Sequence, residues 1–310
     1  MLPPIMVGVD GSAERLAAAM GVPPTPFGLQ GRAAREAVRR DRPLRLVHAW
    51  NRHPCEGVGE PATAAQSYLA RRALRQAEER IRRTCPGVKL DDEQIEGPAT
   101  AALVYAAEQA DLLVLGSRGL SGFTGFLVGS VARVVARAVR PVVLVRAGEE
   151  APDEHLPADD GSPSTRTGYR DVVLGIDLGD PCDEVIEFAF EAARLRGARL
   201  HVVHAWQAPS PLGLGPGDIG LVSGPEQADE WLGFLTAVMK VWRDKCPEVE
   251  VVETVIEGRA QSVLFRAATG ASLLVVGRRV TGRPTGARTG PVTHAAIHHV
   301  GCSVAVVPHE

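Results

Sequence analysis

Five short landmarks occur twice in this chain, in the same order, and any fold must accommodate both sets. "VGVDGS" at 7–12 returns as "LGIDLG" at 174–179, an offset of 167 residues. "LVHAW" at 46–50 returns as "VVHAW" at 202–206, an offset of 156. "TCPGVKL" at 84–90 returns at 245–251, "IEG" at 95–97 returns at 256–258, and "ADLLVLGSRG" at 110–119 returns as "ASLLVVGRRV" at 271–280, all at an offset of 161. An ordered series of this kind marks a duplicated domain, and 310 residues is the length that two ordinary domains need. The expected organisation is a first domain over 1–147, a linker over 148–168 and a second domain over 169–310. The linker "GEEAPDEHLPADDGSPSTRTG" is acidic and rich in Pro, Ser and Gly, a composition expected to stay solvated.

Within the first copy, short Val/Leu/Ile runs predict strands near 4–9, 44–48, 88–95, 111–115 and 141–146. Helical patterns fall near 62–84, 98–109 and 129–139, with a broken one across 12–40. Strands that are nearly continuously apolar are covered on both faces. Strand alternating with helix implies parallel strands joined by right-handed crossovers. The predicted fold class is therefore α/β, as two tandem, doubly wound, Rossmann-like domains. The step from the first landmark to the second is eleven residues longer in copy one, the difference between those two offsets. The excess fits "GVPPTPFGLQG" at 21–31, whose three prolines and three glycines interrupt the first helix. This insertion is either a surface bulge or a segment that touches the nearby site mouth.

In an open parallel sheet, ligands bind beyond the carboxyl ends of the strands. The glycine-rich stretch "GSRGLSGFTGFLVGS" at 116–130 occupies that place after the fourth strand. Its glycines let backbone N–H groups approach an anion. Gly129-Ser130 is expected to open a helix whose free N–H groups and dipole favour phosphate. Arg118 adds positive charge. The stretch lacks the GxxxxGK[ST] of a P-loop. A formal GxGxxG at 215–220 contains proline and does not sit on a strand-to-helix turn, so it is expected to be a surface loop.

The spacing Gly116-x2-Gly119-x9-Gly129-Ser130, with "VGVDGS" and "LVHAW", resembles the universal stress protein family over both halves of the chain. The resemblance implies five parallel strands per domain in the order 3-2-1-4-5, ATP or AMP binding (ATP with or without Mg), a role in stress physiology and a cytoplasmic location. By position it implies that Asp10 sits beside the adenosine, with Gly8 and Val9 on the same wall. It places Ala49 against adenine through its backbone, and Gly116, Gly119, Gly129, Ser130 and Val131 around ribose and phosphates. It also implies docking of the domains through their fifth strands as an internal pseudo-dimer, and further homo-oligomers.

Copy two departs from the pattern. Its matching positions are Gly277, Val280, Gly290 and Pro291, with Gly175 and Asp177 retained. Valine resists φ > 0 and adds bulk where backbone should meet phosphate. Proline suits the first helical position but offers neither N–H nor hydroxyl. Arg278, Arg279, Arg283 and Arg288 either compensate in part or are simply solvated. Weak or absent nucleotide binding is expected in this half.

Other classes find less support. A net charge of −3 supplies no bulk positive field for nucleic acid or an anionic membrane. No apolar run approaches the roughly 18 residues of a membrane span, and the N-terminus does not resemble a signal peptide. Five cysteines without CxxC argue against a disulfide framework or structural zinc. His294 and His298, spaced i, i+4 with His299 beside them, are read as surface and core-edge histidines, since no acidic third ligand accompanies them. His48, His204, Trp50 and Trp206 are read as structural residues at strand ends. No GxSxG, HExxH or paired carboxylates occur, so catalysis is not expected beyond slow ATP hydrolysis. Alternatives are another ATP-using enzyme or a nucleotide-free dimerisation scaffold.

Overall fold

The computed structural model describes residues 2–9, 28–50, 60–117, 126–146, 148–208, 224–280 and 289–310. The chain divides into two compact units, the first built mainly from Met1–Asp153 and the second from Glu154–Arg279 and Gly290–Glu310. In the first, β1 (Ile5–Gly8), β2 (Leu44–Trp50), β3 (Leu90–Glu96), β4 (Leu112–Ser117) and β5 (Val142–Arg146) pair in parallel, in the order β3-β2-β1-β4-β5. The helices α1 (Gly28–Arg39), α2 (Glu60–Thr84), α3 (Ala99–Gln109) and α4 (Phe126–Arg137) alternate with them. The second unit repeats the plan with β6 (Val172–Ile176), β7 (Leu200–Trp206), β8 (Val251–Glu257), β9 (Leu273–Arg279) and β10 (Ser303–His309), in the order β8-β7-β6-β9-β10 and again all parallel. Its helices are α5 (Asp183–Arg196), α6 (Gly224–Lys245), α7 (Ala260–Ala267) and α8 (Pro291–His299). This is the expected doubly wound α/β fold, in duplicate.

Strand composition follows position in the sheet. Ile5, Val7, Leu113 and Val114 are at most 1% exposed, as are Val172, Leu174, Leu274 and Val275. These are inner strands covered on both faces. The edge strand β3, "LDDEQIE", is mostly polar and partly exposed. Charged side chains on an edge discourage pairing with another chain.

Two stretches depart from the composition-based reading. Residues 28–31, the end of the 21–31 insertion, form the first turn of α1, and Gly28 and Gly31 are buried. A Cβ on Gly28 would fall 2.5 Å from the carbonyl oxygen of Glu149, so glycine permits this close approach. That end of the insertion is not a surface bulge; residues 21–27 lie outside the described residues. The 148–168 stretch is mostly exposed, as its composition suggests, but it is locally folded and anchored. Ala151–Glu154 form a short 3-10 helix. Beyond it His155 pairs antiparallel with Tyr169, Leu156 N–H donates to Gly168 O at 2.8 Å, and a turn over Ala158–Ser162 closes the excursion. Its acidic tip is exposed, but Glu149, Glu154 and His155 at its base are buried. Composition averages over the tip and cannot register these anchors.

The anchor in the first unit is ionic. Arg32 is fully buried; its guanidinium donates to Glu149 Oε1 at 3.0 Å and lies 3.3 Å from Glu36 Oε1. Arg39 donates to Glu36 at 3.1 Å. Removing one partner strands a buried charge, which is far more costly than the net worth of the pair. Glu149→Ala is expected to destabilise the first unit by about 3 kcal/mol, the lower end of the range because Glu36 remains. A urea-unfolding midpoint equal to the parent's would show that the pair contributes nothing net.

In the second unit His201 on β7 meets Thr254 Oγ1 at 2.9 Å. Burial pushes its imidazole below the usual histidine range; Asp171 opposes that shift and Arg199 adds to it. The unfolded chain therefore takes up this proton first as pH falls. His201 contributes stability that is fully present above its unfolded pKa and is lost as pH falls through the folded pKa. His201→Gln should flatten the fall in stability between about pH 7 and pH 5; an unchanged pH profile would refute that role.

Candidate functional site

Strand order reverses between β1 and β4 in the first unit, and the carboxyl ends of β1, β2 and β4 meet there. This topological switch point is where open α/β sheets hold ligands. Of the residues singled out in copy one, Gly8, Val9, Ala49 and Gly116 come together on this edge. Gly8 pairs with Val47, Ala49 with Ile95, and Gly116 with Val145. Asp10, Arg118 and Gly119 lie outside the described residues.

Gly8 has a packing reason to be glycine. A Cβ there would meet Leu115 Cδ2 at 2.9 Å and Leu103 Cδ2 at 3.2 Å. Its repeat partner Gly175 would meet Leu264 at 2.8 Å. In both units the glycine therefore lets an apolar side chain seat closely on the central strand. Val9 is 8% exposed, and its N–H donates to Val47 O at 2.8 Å. Gly116 and Ala49 are half-exposed. Among the described residues, a Cβ on Gly116 would meet only Leu29 Cδ2, at an ordinary 3.5 Å.

A histidine clasp recurs in both copies. His48 Nδ1 lies 2.7 Å from Val9 O, and His204 Nδ1 lies 3.1 Å from Ile176 O. An Nδ1–H donor to a carbonyl fixes the end of the second strand against the residue just before each copy's aspartate, Asp10 or Asp177. The structural reading of these histidines gains a specific task, which their repeat-equivalent positions already hinted at.

The entry to α4 differs from expectation. The helix begins at Phe126, so Gly129 and Ser130 stand inside it rather than opening it. The N–H groups left without helical partners at its start include those of Phe126, Leu127 and Val128. A glycine inside a helix costs only about 1 kcal/mol relative to alanine, so Gly129 does not stop the extra turn. Val131, on the second turn, is half-buried.

The second unit's edge is filled by its own side chains. Asp177 is exposed, and its Oδ1 accepts the Gly179 N–H at 2.9 Å, an Asx turn. A Cβ on Gly277 would fall 2.9 Å from His309 Nε2 and 3.2 Å from Val185 Cγ2. The Thr293 hydroxyl donates to Gly277 O at 3.0 Å. Gly290 is the N-cap of α8 and Pro291 occupies its first turn, as anticipated for proline. Arg279 is exposed, in line with the solvated reading, and is ion-paired with Asp180. Arg278 is buried, and burial lowers its guanidinium pKa. Arg283 and Arg288 lie outside the described residues.

Charge points the same way. Asp183 and Glu184 occupy the first turn of α5, where carboxylates complement the helix dipole and repel another anion. The Cys182 thiol donates to Glu184 Oε2 at 2.8 Å. That bond, ahead of the helix backbone and His309, holds the Glu184 carboxyl below its usual range. Burial first, then Glu184, pushes the Cys182 thiol up, away from the reactive thiolate. His309, Asp180 and Thr293 escape notice in the sequence because their partners lie up to about a hundred residues away.

The second unit's edge around Gly277 is thus occupied by its own side chains. The first unit's described edge leaves Ala49 and Gly116 accessible and contains no comparable blockade among its described residues. Among the described residues, no helix is long and apolar enough to cross a membrane.

Comparison with known proteins agrees with the duplication. The family model described as the universal stress protein family matches residues 1–146 and 168–308. A universal stress protein of Mycolicibacterium smegmatis is 29% identical over 98% of this chain and 96% of its own. One of Mycobacterium tuberculosis is 28% identical over 95% and 93%. The crystal structure of a universal stress protein from Archaeoglobus fulgidus superposes over the whole of both chains, with a TM-score of 0.67 at 16% identity. At that identity the structural likeness speaks for the fold.

The His48 clasp supplies a test. His48→Ala should destabilise the first unit by about 1 kcal/mol, the ordinary net value of one intramolecular hydrogen bond. Unchanged urea unfolding would show that the contact is incidental.

Proposed function

Because the chain belongs to the universal stress protein family, we propose that it is a cytoplasmic, adenine-nucleotide-binding regulatory protein of the stress response that holds ATP in its first unit alone. The observation that carries this reading is the contrast between the two copies. Copy one keeps Gly116-x2-Gly119-x9-Gly129-Ser130, whereas copy two has Val280 and Pro291 and fills the space over Gly277 with His309.

The residues assigned to the nucleotide are Gly8, Val9, Asp10, Ala49, Gly116, Arg118, Gly119, Gly129, Ser130 and Val131. Asp10 and the Ala49 backbone recognise the adenosine. Arg118, the loop glycines and the Ser130 hydroxyl stand toward the phosphates, with Mg as their companion ion. The packing of Gly8 and Val9 makes them supports of this wall more than contacts. Gly175, Asp177, Gly277 and Gly290 are the corresponding positions of a second site that has lost its donors. Bound ATP would favour one of two states of the protein; only its differential affinity for those states can drive a response.

Calorimetric titration of ATP tests the reading. One site per chain is expected, lost in Asp10→Ala and Gly119→Val and kept in Asp177→Ala. A tenfold loss corresponds to about 1.4 kcal/mol, which two missing donors readily exceed. No binding to the parent chain would overturn the proposal and leave a scaffold with a relic loop.

A further inference from the structure

The duplicated chain carries an internal comparison at α8. His294 and His298 stand four residues apart, one helical turn, and so share one helix face. Their rings lie 4.5 Å apart between centroids, tilted by 51°. His294 is exposed and His298 half-buried, so solvent reaches the pair. The His299 ring lies farther off, 6.2 Å from His298, and sits 5.9 Å from Phe265. The equivalent positions of α4, at the 161-residue offset, are Arg133 and Arg137, whose guanidinium groups stay protonated and cannot ligate a metal. Both positions of this coupled pair therefore differ between the copies, and both differ in the same chemical direction.

We propose that His294 and His298 form a two-imidazole chelate for a divalent transition-metal ion on the surface of α8. Imidazole nitrogens at i, i+4 on a helix face are a recurrent way to hold such an ion. Among the described residues no group of three or more His, Cys, Asp or Glu converges. The protein thus supplies two ligands and water completes the coordination. A site of that kind selects by the general affinity order of first-row ions, in which Cu(II) stands highest. It is independent of the proposed nucleotide site, which lies in the other unit. Copy two would then have exchanged an anion-binding edge for a cation-binding helix face.

The test is titration of untagged, full-length protein with Cu(II), read by calorimetry and by electron paramagnetic resonance. The parent is expected to show a site with a two-nitrogen imidazole signature. The double variant His294→Arg/His298→Arg, which installs the residues that α4 carries, should lose that site while keeping its circular dichroism. Each single variant, His294→Gln or His298→Gln, should weaken binding at least about tenfold, since even outer-shell changes at metal sites have effects of that size. His299→Ala should bind as the parent does. Parental affinity in either single variant, a two-imidazole signal that survives in the double variant, or an equal loss in His299→Ala would overturn the proposal. His294→Gln alters only an exposed side chain and keeps the test decisive if the double variant fails to fold.

Discussion

Parallel pairing is the constraint from which the rest of each unit follows. Two parallel strands cannot be joined by a tight turn, so every connection must cross a face of the sheet, here by a helix. The helices cover both faces and bury the inner strands. Only the strand ends remain for chemistry, and the reversal of order beside β1 and β6 opens the carboxyl edge at one place per unit. Close seating of the helices in turn requires Gly8 and Gly175, because leucine methyl groups occupy the space a side chain would take. The same residues that resemble a nucleotide motif thus also satisfy packing.

The copies share this frame and diverge at its edge. The histidine clasp on the backbone before the aspartate is kept in both. What differs is what fills the edge beyond it. In the second unit Asp177 is engaged with Gly179, Arg279 with Asp180, and the space at Gly277 with His309 and Val185. Carboxylates at the start of α5 add a negative field. The second unit's edge is thus set apart by occupied space and negative charge as well as by two altered motif residues.

The first unit uses buried charge where apolar packing would have sufficed. Arg32, Glu36 and Glu149 lie beneath the start of α1 and the segment after β5. Such a cluster contributes little net stability over an apolar equivalent, yet it tolerates few alternative arrangements, since any misplacement leaves a charge unpaired in a low dielectric. It holds Gly28 against the Glu149 backbone and so fixes where α1 begins after the interruption.

Alternation of apolar runs with helical patterns, together with the repeated landmarks, determined the fold class, the duplication and nearly every described element. These signals are local and set by backbone hydrogen bonding and burial period. That Val280 adds bulk and that Pro291 carries neither N–H nor hydroxyl was equally legible, because both depend on residue type alone. The start of α4 at Phe126 was not: the cost of Gly129 within a helix is too small to read a boundary from. Nor were the buried roles of Arg32 and Glu149, the folded base of the 148–168 segment, or His309 over Gly277. Each depends on residues distant in the chain meeting in space, so the energy that decides them resides in contacts that no window of sequence contains. Composition described 148–168 by its many exposed residues, and tertiary structure decided it by its few buried ones.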